Sequence, residues 1–250
     1  MTVDRKKIRI ALLFGTMLLL TGCNEQAAIP EKFEGDMVLA ISWQPGFCET
    51  RPRLPECRSQ KESRFDATHF ALHGLWPQPR SQSYCGVSES EKQKDISRQW
   101  SRLRGLGLSE DLQKRLLEIM PGARSFLHRH EWIKHGTCYG DDPGVYYEDS
   151  LALMRQINAS KLQDLFASSI GKRLTGRQIR RVVDAEFGSG AGKRVRIACK
   201  RDGRRTIITE LTIGLSGRIS EDSDLPDLIL AARPTRPGCP EGIVDAVGLQ

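Results

Sequence analysis

No stretch of this 250-residue chain is long enough to cross a bilayer as an apolar helix. The apolar run Ile10 to Leu20 holds eleven residues, whereas a hydrocarbon core of roughly 30 Å needs about 20. None of the seven cysteines is paired at the C-x-x-C spacing of zinc or redox sites. Repeats, low-complexity tracts and heptads are missing too, which excludes solenoids, coiled coils and collagen-like rods. Acidic residues fall only seven short of basic ones, 31 against 38, and Arg5, Lys6, Lys7 and Arg9 against Asp4 place three of that excess at the extreme N-terminus. The remaining excess of about four allows affinity for a polyanion without demanding it. What is present is a hydrophobic fraction of 39%, enough at this length for a buried core and too much for intrinsic disorder.

The N-terminal basic cluster followed by the short apolar run reads as a secretory signal peptide. It ends Leu20-Thr21-Gly22-Cys23, and small residues before a cysteine resemble the lipobox of bacterial lipoproteins, as against an ordinary signal peptide cut nearby. Residues 1–22 are then a leader and Cys23 a lipidated N-terminus. Residues 23–35, polar with Pro30, form a tether, and Asn24 suits an outer-membrane destination. The expected location is the periplasm or cell envelope, with a lipid anchor to the outer membrane. Setting Cys23 aside leaves six cysteines, an even number in a chain bound for an oxidising compartment, which argues for three disulfides. Spacing alone does not choose among their fifteen pairings.

Met37 to Trp43 reads as a buried strand stopped by a turn at Pro45-Gly46. Ser109 opens a helix carrying Leu112, Leu116, Leu117 and Met120, closed by Pro121-Gly122. Further helices are expected over 123–134, 146–166 and 175–187. Strands are expected over 195–199 and 206–215, with Asp202-Gly203 as a hairpin turn. Strands and helices do not alternate regularly, so the fold class is α+β with a largely antiparallel central sheet and packed helices. No linker interrupts residues 36–250, which are expected to form a single, monomeric domain. Between Lys172 and Arg205, twelve cationic side chains outnumber three acidic ones. Such a region could guide a nucleic-acid backbone, face anionic lipid, or be merely solvated. Asn158-Ala159-Ser160 matches a glycosylation acceptor, incidental behind a bacterial-type leader.

Two short segments carry the chemistry: His73-Gly74-Leu75-Trp76-Pro77-Gln78, and His130-Glu131-Trp132-Ile133-Lys134-His135-Gly136-Thr137-Cys138. At about 100° per residue, a helix would gather His130, Glu131, Lys134 and His135 on one arc, with Trp132 and Ile133 turned toward a core. Gly136 offers a helix stop and Cys138 a bridge at the exit. A zinc site fits poorly. The histidines are five apart and diverge by about 140°, where a metalloprotease helix needs four, and a lysine lies between them. A Cys138 nucleophile is disfavoured by the even thiol count. No metal and no cofactor is expected.

Both segments resemble those of the ribonuclease T2 family, secreted and metal-independent endoribonucleases of α+β fold. His73 to Pro77 is similar to the family's first active-site segment and His130 to Cys138 to its second, with Trp43-Gln44-Pro45 as further similarity. The resemblance implies the bridges Cys48–Cys57, Cys85–Cys138 and Cys199–Cys239. It also implies an RNA substrate attacked by its own 2′-hydroxyl to give a 2′,3′-cyclic phosphate and then a 3′-phosphate, so that DNA resists. His135 would be the general base and His73 the general acid, a pairing that imidazole suits because its ordinary pKa is about 6.5. Lys134 and Glu131 would stabilise the pentacovalent phosphorane, unless Glu131 instead orients His135. His130 would touch phosphate. Trp76, and Tyr84 eight residues on, are stacking surfaces for bases, which tolerates any base; core packing is the competing role for both. Gln78 could bond a base edge. The alternative from another class is a catalytically silent RNA-binding or cell-surface protein on the same scaffold.

Overall fold

The structure is a computed structural model that describes residues 1–2 and 33–250. The leader's apolar run, Cys23 and the tether up to residue 32 lie outside the described residues. In chain order the described elements are β1 (Glu34–Ser42), α1 (Gln44–Glu49), α2 (Pro55–Arg58), β2 (Ala71–Pro77), α3 (Glu89–Ile96), α4 (Glu110–Ile119), α5 (Leu127–Lys134), α6 (Pro143–Asn158), α7 (Lys161–Ala167), β3 (Arg173–Thr175), α8 (Gly176–Phe187), β4 (Val195–Asp202), β5 (Arg205–Arg218), α9 (Leu225–Ala231) and β6 (Glu241–Ile243).

The strands form one sheet in the order β2-β1-β5-β6-β3, with β4 also paired to β5. Pairing is antiparallel except where β5 meets β6. Alternation gives the sheet two unlike faces. Register places Leu39, Ile41, Leu75, Leu211, Ile213 and Leu215 on one face, in one apolar cluster with Leu153, Ile157, Phe166, Ile179 and Val183 from α6, α7 and α8. The other face carries Val38, Ala40, Gly74, Trp76, Glu210, Thr212, Gly214 and Arg196, several of them partly open to solvent.

Two bulges on this second face set the site. Ala40 pairs with Gly74 but Ile41 with Leu72, so His73 is the extra residue of β2. In a regular strand, residues three apart lie on opposite faces; the extra residue brings His73 and Trp76 onto the same one. On β5, Ala198 pairs with Glu210 but Cys199 with Ile208, making Thr209 extra beside Glu210. The free edge of β2 is capped by Tyr146 of α6, whose hydroxyl accepts from Leu75 N (3.2 Å) and donates to Leu75 O (2.9 Å). That satisfies backbone groups an edge strand would otherwise leave open.

Several sequence expectations change in detail. Pro45-Gly46 does not end in a turn: Pro45 sits in the first turn of α1, where its missing N–H costs nothing. The stretch 123–134 divides into a 3₁₀ segment, Pro121–Ser125, and α5, joined by Phe126 in the left-handed region (φ 65°). The stretch 146–166 breaks after Asn158, whose amide is taken by both backbone groups of Phe70 (2.9 and 3.0 Å). Ser109 caps α4 by accepting from Leu112 N, and Thr175 and Gln178 form a capping box on α8. The disulfides are Cys48–Cys57, Cys85–Cys138 and Cys199–Cys239. Cys138 is therefore not a free nucleophile.

Candidate active site

β2 and α5 bring the two histidine segments together around one buried carboxyl group. Glu131 of α5 is 1% exposed. Its Oε2 accepts from Trp76 Nε1 at 2.7 Å, while its Oε1 lies 3.6 Å from His73 Nε2 and 3.8 Å from His130 Nε2. The approach is close enough to need glycine at position 74. A Cβ there would lie 2.1 Å from Glu131 Oε2 and 2.5 Å from Trp76 Nε1. The Trp76 indole in turn packs edge-on to the His73 ring (centroids 5.2 Å) and tilted to the His135 ring (5.5 Å). Both imidazoles thus flank one half-buried aromatic, and Trp76 is neither a core residue nor an unengaged platform.

The two imidazoles are held differently. His73 Nδ1 donates to Glu210 Oε2 at 2.6 Å, which leaves Nε2 toward Glu131 and the cleft. Burial pulls its pKa down, but the Glu210 hydrogen bond and the charges of Glu131 and Glu210 outweigh this and hold it above the ordinary 6.5. His135 makes no side-chain hydrogen bond among the described residues, and its Nδ1 is buried without a partner. Burial, followed by the charges of Lys134, His130 and His73, pushes its pKa down to about 3. The two environments therefore act in opposite directions, one ring favouring its proton and the other resisting one.

His135 lies just past the end of α5, at φ −120° and ψ −46°, so it leaves the helical arc that the spacing suggested. Gly136 also has a different reason. It is not in a left-handed cap but begins a 3₁₀ turn, Gly136–Cys138, where a Cβ would strike the Trp132 ring at 2.3 Å. Trp132 packs against Tyr146 and Ile133 is buried, which fixes the inner side of α5. Lys134 lies near His73 and His135, lowering the pKa of each, and its ammonium has no partner among the described residues.

Tyr84 and His130 converge on a residue the sequence did not flag. Asp95 of α3, 2% exposed, accepts from Tyr84 OH (2.7 Å) and from His130 Nδ1 (2.7 Å). The His130 ring is further stacked on Trp100, centroids 4.7 Å apart at 24°. Tyr84 adopts φ 57° and donates its N–H to Lys134 O (2.9 Å), next to the Cys85–Cys138 bridge. Its hydroxyl bonds the same carboxylate as His130. Burial, then the Asp95 bond, push the Tyr84 pKa well above its ordinary value. Asp95 lies in the polar run Glu89–Ile96 and gave no signal. Glu210 had one: a lone acid amid the alternating apolar residues of β5. Gln78 turns its amide onto Trp76 O and Pro77 O. His69 stacks on Phe65, and His128 is half-buried with its backbone carbonyl accepting from Tyr147 OH. No group of three or more His, Cys, Asp or Glu among the described residues is arranged to hold a metal ion.

The profile of the Ribonuclease T2 family matches residues 35–224. Ribonuclease I of Escherichia coli (strain K12) is 32% identical over 255 residues, an alignment spanning 87% of this chain and 91% of that protein. Ribonuclease Rh of Rhizopus niveus is 25% identical over 175 residues, spanning 63% of this chain and 65% of its own. Among solved structures, RNase NT in complex with 5′-AMP has a TM-score of 0.55 at 20% identity, covering 85% of this chain and 98% of its own. Ribonuclease MC1 from the seeds of bitter gourd has a TM-score of 0.54 at 16% identity, covering 84% and 99%. At these identities the structural likeness establishes the fold.

Proposed function

The chain belongs to the ribonuclease T2 family, and we propose that it cleaves single-stranded RNA by histidine acid–base transphosphorylation, with His135 as base and His73 as acid. The observation that carries this division of labour is the unequal environment of two imidazoles packed on one indole. His135, neutral and without a protein partner, takes the proton of the ribose 2′-hydroxyl. The 2′-oxygen attacks phosphorus, the P–O5′ bond breaks, and His73 Nε2–H protonates the departing 5′-oxygen. The products are a 2′,3′-cyclic phosphate and a free 5′-hydroxyl. The cyclic ester is then hydrolysed to a 3′-phosphate with the two histidines exchanging roles, as microscopic reversibility requires.

Lys134 supplies positive charge to the phosphoryl oxygens of the pentacovalent intermediate, where a preorganised donor can be worth about 3 to 4 kcal/mol. Glu131 holds Trp76 and lies between His73 and His130, which ties the two segments into one site. His130, locked by Asp95 and Trp100, offers its Nε2 to substrate phosphate. Trp76 presents the base-stacking surface, and with no base-edge partner dominating, base preference is weak. The enzyme is exported, consistent with its three disulfides. Its anchor is a lipid on Cys23, and it acts in the cell envelope.

The test is product analysis in the presence of EDTA. Purified protein and RNA should yield termini carrying 2′,3′-cyclic phosphate, and the all-2′-deoxy analogue should stay intact. Loss of cleavage on chelation, or hydrolysis of the deoxy analogue, would replace this reading with a metal-dependent one; binding without cleavage would select a silent RNA-binding protein.

A further inference from the structure

The basic region that composition picks out between Lys172 and Arg205 is not one surface. Arg173 pairs with Glu241, Arg180 donates to Pro237 O, Arg194 to Ala232 O and Gly190 O, and Arg205 to Glu49 and Asp245. These cations hold the fold. Arg196, in contrast, is exposed and makes no hydrogen bond or ion pair among the described residues. Register fixes its direction: Arg196 pairs with Thr212, Thr212 with Ala40, and Ala40 with Gly74. It therefore stands on the same sheet face as the active site, in the same row as the glycine beneath Glu131. Three strand spacings, about 14 Å, separate the two.

Between them the face is a groove of about 220 Å³ lined by Val38, Thr212 and Gly214 on its floor and by Gln78 and Arg233 on its sides. Gln78 follows directly from the strand that carries Trp76. Arg233 is 90% exposed, and its Nε lies 3.9 Å from Asp36 Oδ2, across the groove. Such an exposed pair contributes little and is easily exchanged for a phosphate. Glu210, a further acid on this face, is already bonded to His73.

We propose that this groove, together with Arg196 beside the Thr212 of its floor, is a distal backbone site for extended single-stranded RNA, in which Arg196 and Arg233 receive two phosphates other than the one being cleaved. The proposal rests on the ribonuclease reading above and extends it to substrate length. Two observations favour RNA as the occupant: the groove floor shares a sheet face with Gly74 and Trp76, and beside that floor stands Arg196, an exposed cation with no partner among the described residues to compete with a phosphate. The substrate class follows. Chains of several nucleotides are preferred over dinucleotides, because a dinucleoside monophosphate carries only the scissile phosphate and offers Arg196 nothing.

The experiment compares a dinucleoside monophosphate with a twelve-nucleotide single-stranded RNA, for the wild type, the double variant Arg196→Gln/Arg233→Gln, and the control Arg181→Gln on the outside of α8. The double variant should lose about fivefold or more in kcat/KM on the long substrate. Its slope of log kcat/KM against log salt should flatten by about 1.4, at about 0.7 per single-strand phosphate contact. On the dinucleotide it should match the wild type, and Arg181→Gln should match on both. Equal losses on both substrates would move the arginines into the cleft itself, and equal losses in the control would reduce the effect to overall charge. Either overturns the proposal, as does unchanged kinetics joined to lost binding of phosphatidylglycerol vesicles, which would make the face a membrane contact. A wild type that cleaves neither substrate would instead defeat the ribonuclease reading.

Discussion

His73→Ala and His135→Ala should each lower kcat/KM on RNA by a factor of about 10² to 10⁴, with the fold retained. Retention is expected because neither ring is part of the apolar cluster, and the one hydrogen bond of the His73 ring is to a partly exposed carboxylate. The two variants should also differ from one another. Protonating a ribose 5′-oxygen matters because an alkoxide is a poor leaving group; a 4-nitrophenolate needs no such help. A nucleoside 3′-(4-nitrophenyl phosphate) should therefore restore most of the lost rate to His73→Ala and little of it to His135→Ala. If the rescue falls on His135→Ala instead, the acid and base are interchanged.

The second large effect is expected at a residue with no functional group. Gly74→Ala would place a methyl group 2.1 Å from Glu131 Oε2 and 2.8 Å from Glu131 Cδ. It drives a wedge into the 2.7 Å bond between Glu131 and Trp76. Neither partner can swing away freely, since Glu131 is buried and the indole lies against both imidazoles. Overpacking of this kind costs about 1 to 3 kcal/mol of stability. Displacing catalytic groups by about 1 Å can cost about 10²-fold in rate. Urea unfolding and RNA turnover measured on the same preparation should show both losses. Gly105→Ala, where a Cβ meets nothing within 4 Å, should show neither. Wild-type turnover in Gly74→Ala would mean that the Glu131–Trp76 contact does not position the site.

What the sequence made legible was local chemistry with a local period. Ser109 and the leucines of α4, the helix expected over 175–187 and found as Gly176–Phe187, and the hairpin at Asp202-Gly203 all depend on neighbours within a few residues, and all appear in the structure. The two histidine segments were legible as clusters of rare side chains. Their mutual arrangement was not, because it depends on which strand residue is extra. The offset at His73 exists only against β1, more than thirty residues earlier, and a one-residue slip would turn Trp76 to the other face. Long-range partners were hidden for the same reason. Glu210 reaches His73 from 137 positions away and Asp95 reaches His130 from 35, and an isolated acid in a chain with 31 of them carries no mark of its target. Gly136 illustrates a third kind of loss: the glycine was visible, but its reason, the Trp132 ring above it, belongs to packing.

The unequal imidazoles are the heart of this mechanism, and titrating them individually by NMR, with His73→Ala and His135→Ala spectra for assignment, tests it most directly. His73 should titrate above 6.5, losing its proton as pH rises through that raised value. His135 should stay neutral down to a pH well below 6.5, toward about 3. The pH profile of kcat/KM should then show its alkaline limb with His73 and its acid limb with His135. Two rings titrating together near 6.5, or His135 gaining its proton at a higher pH than His73, would contradict the assignment of base and acid on which the account stands.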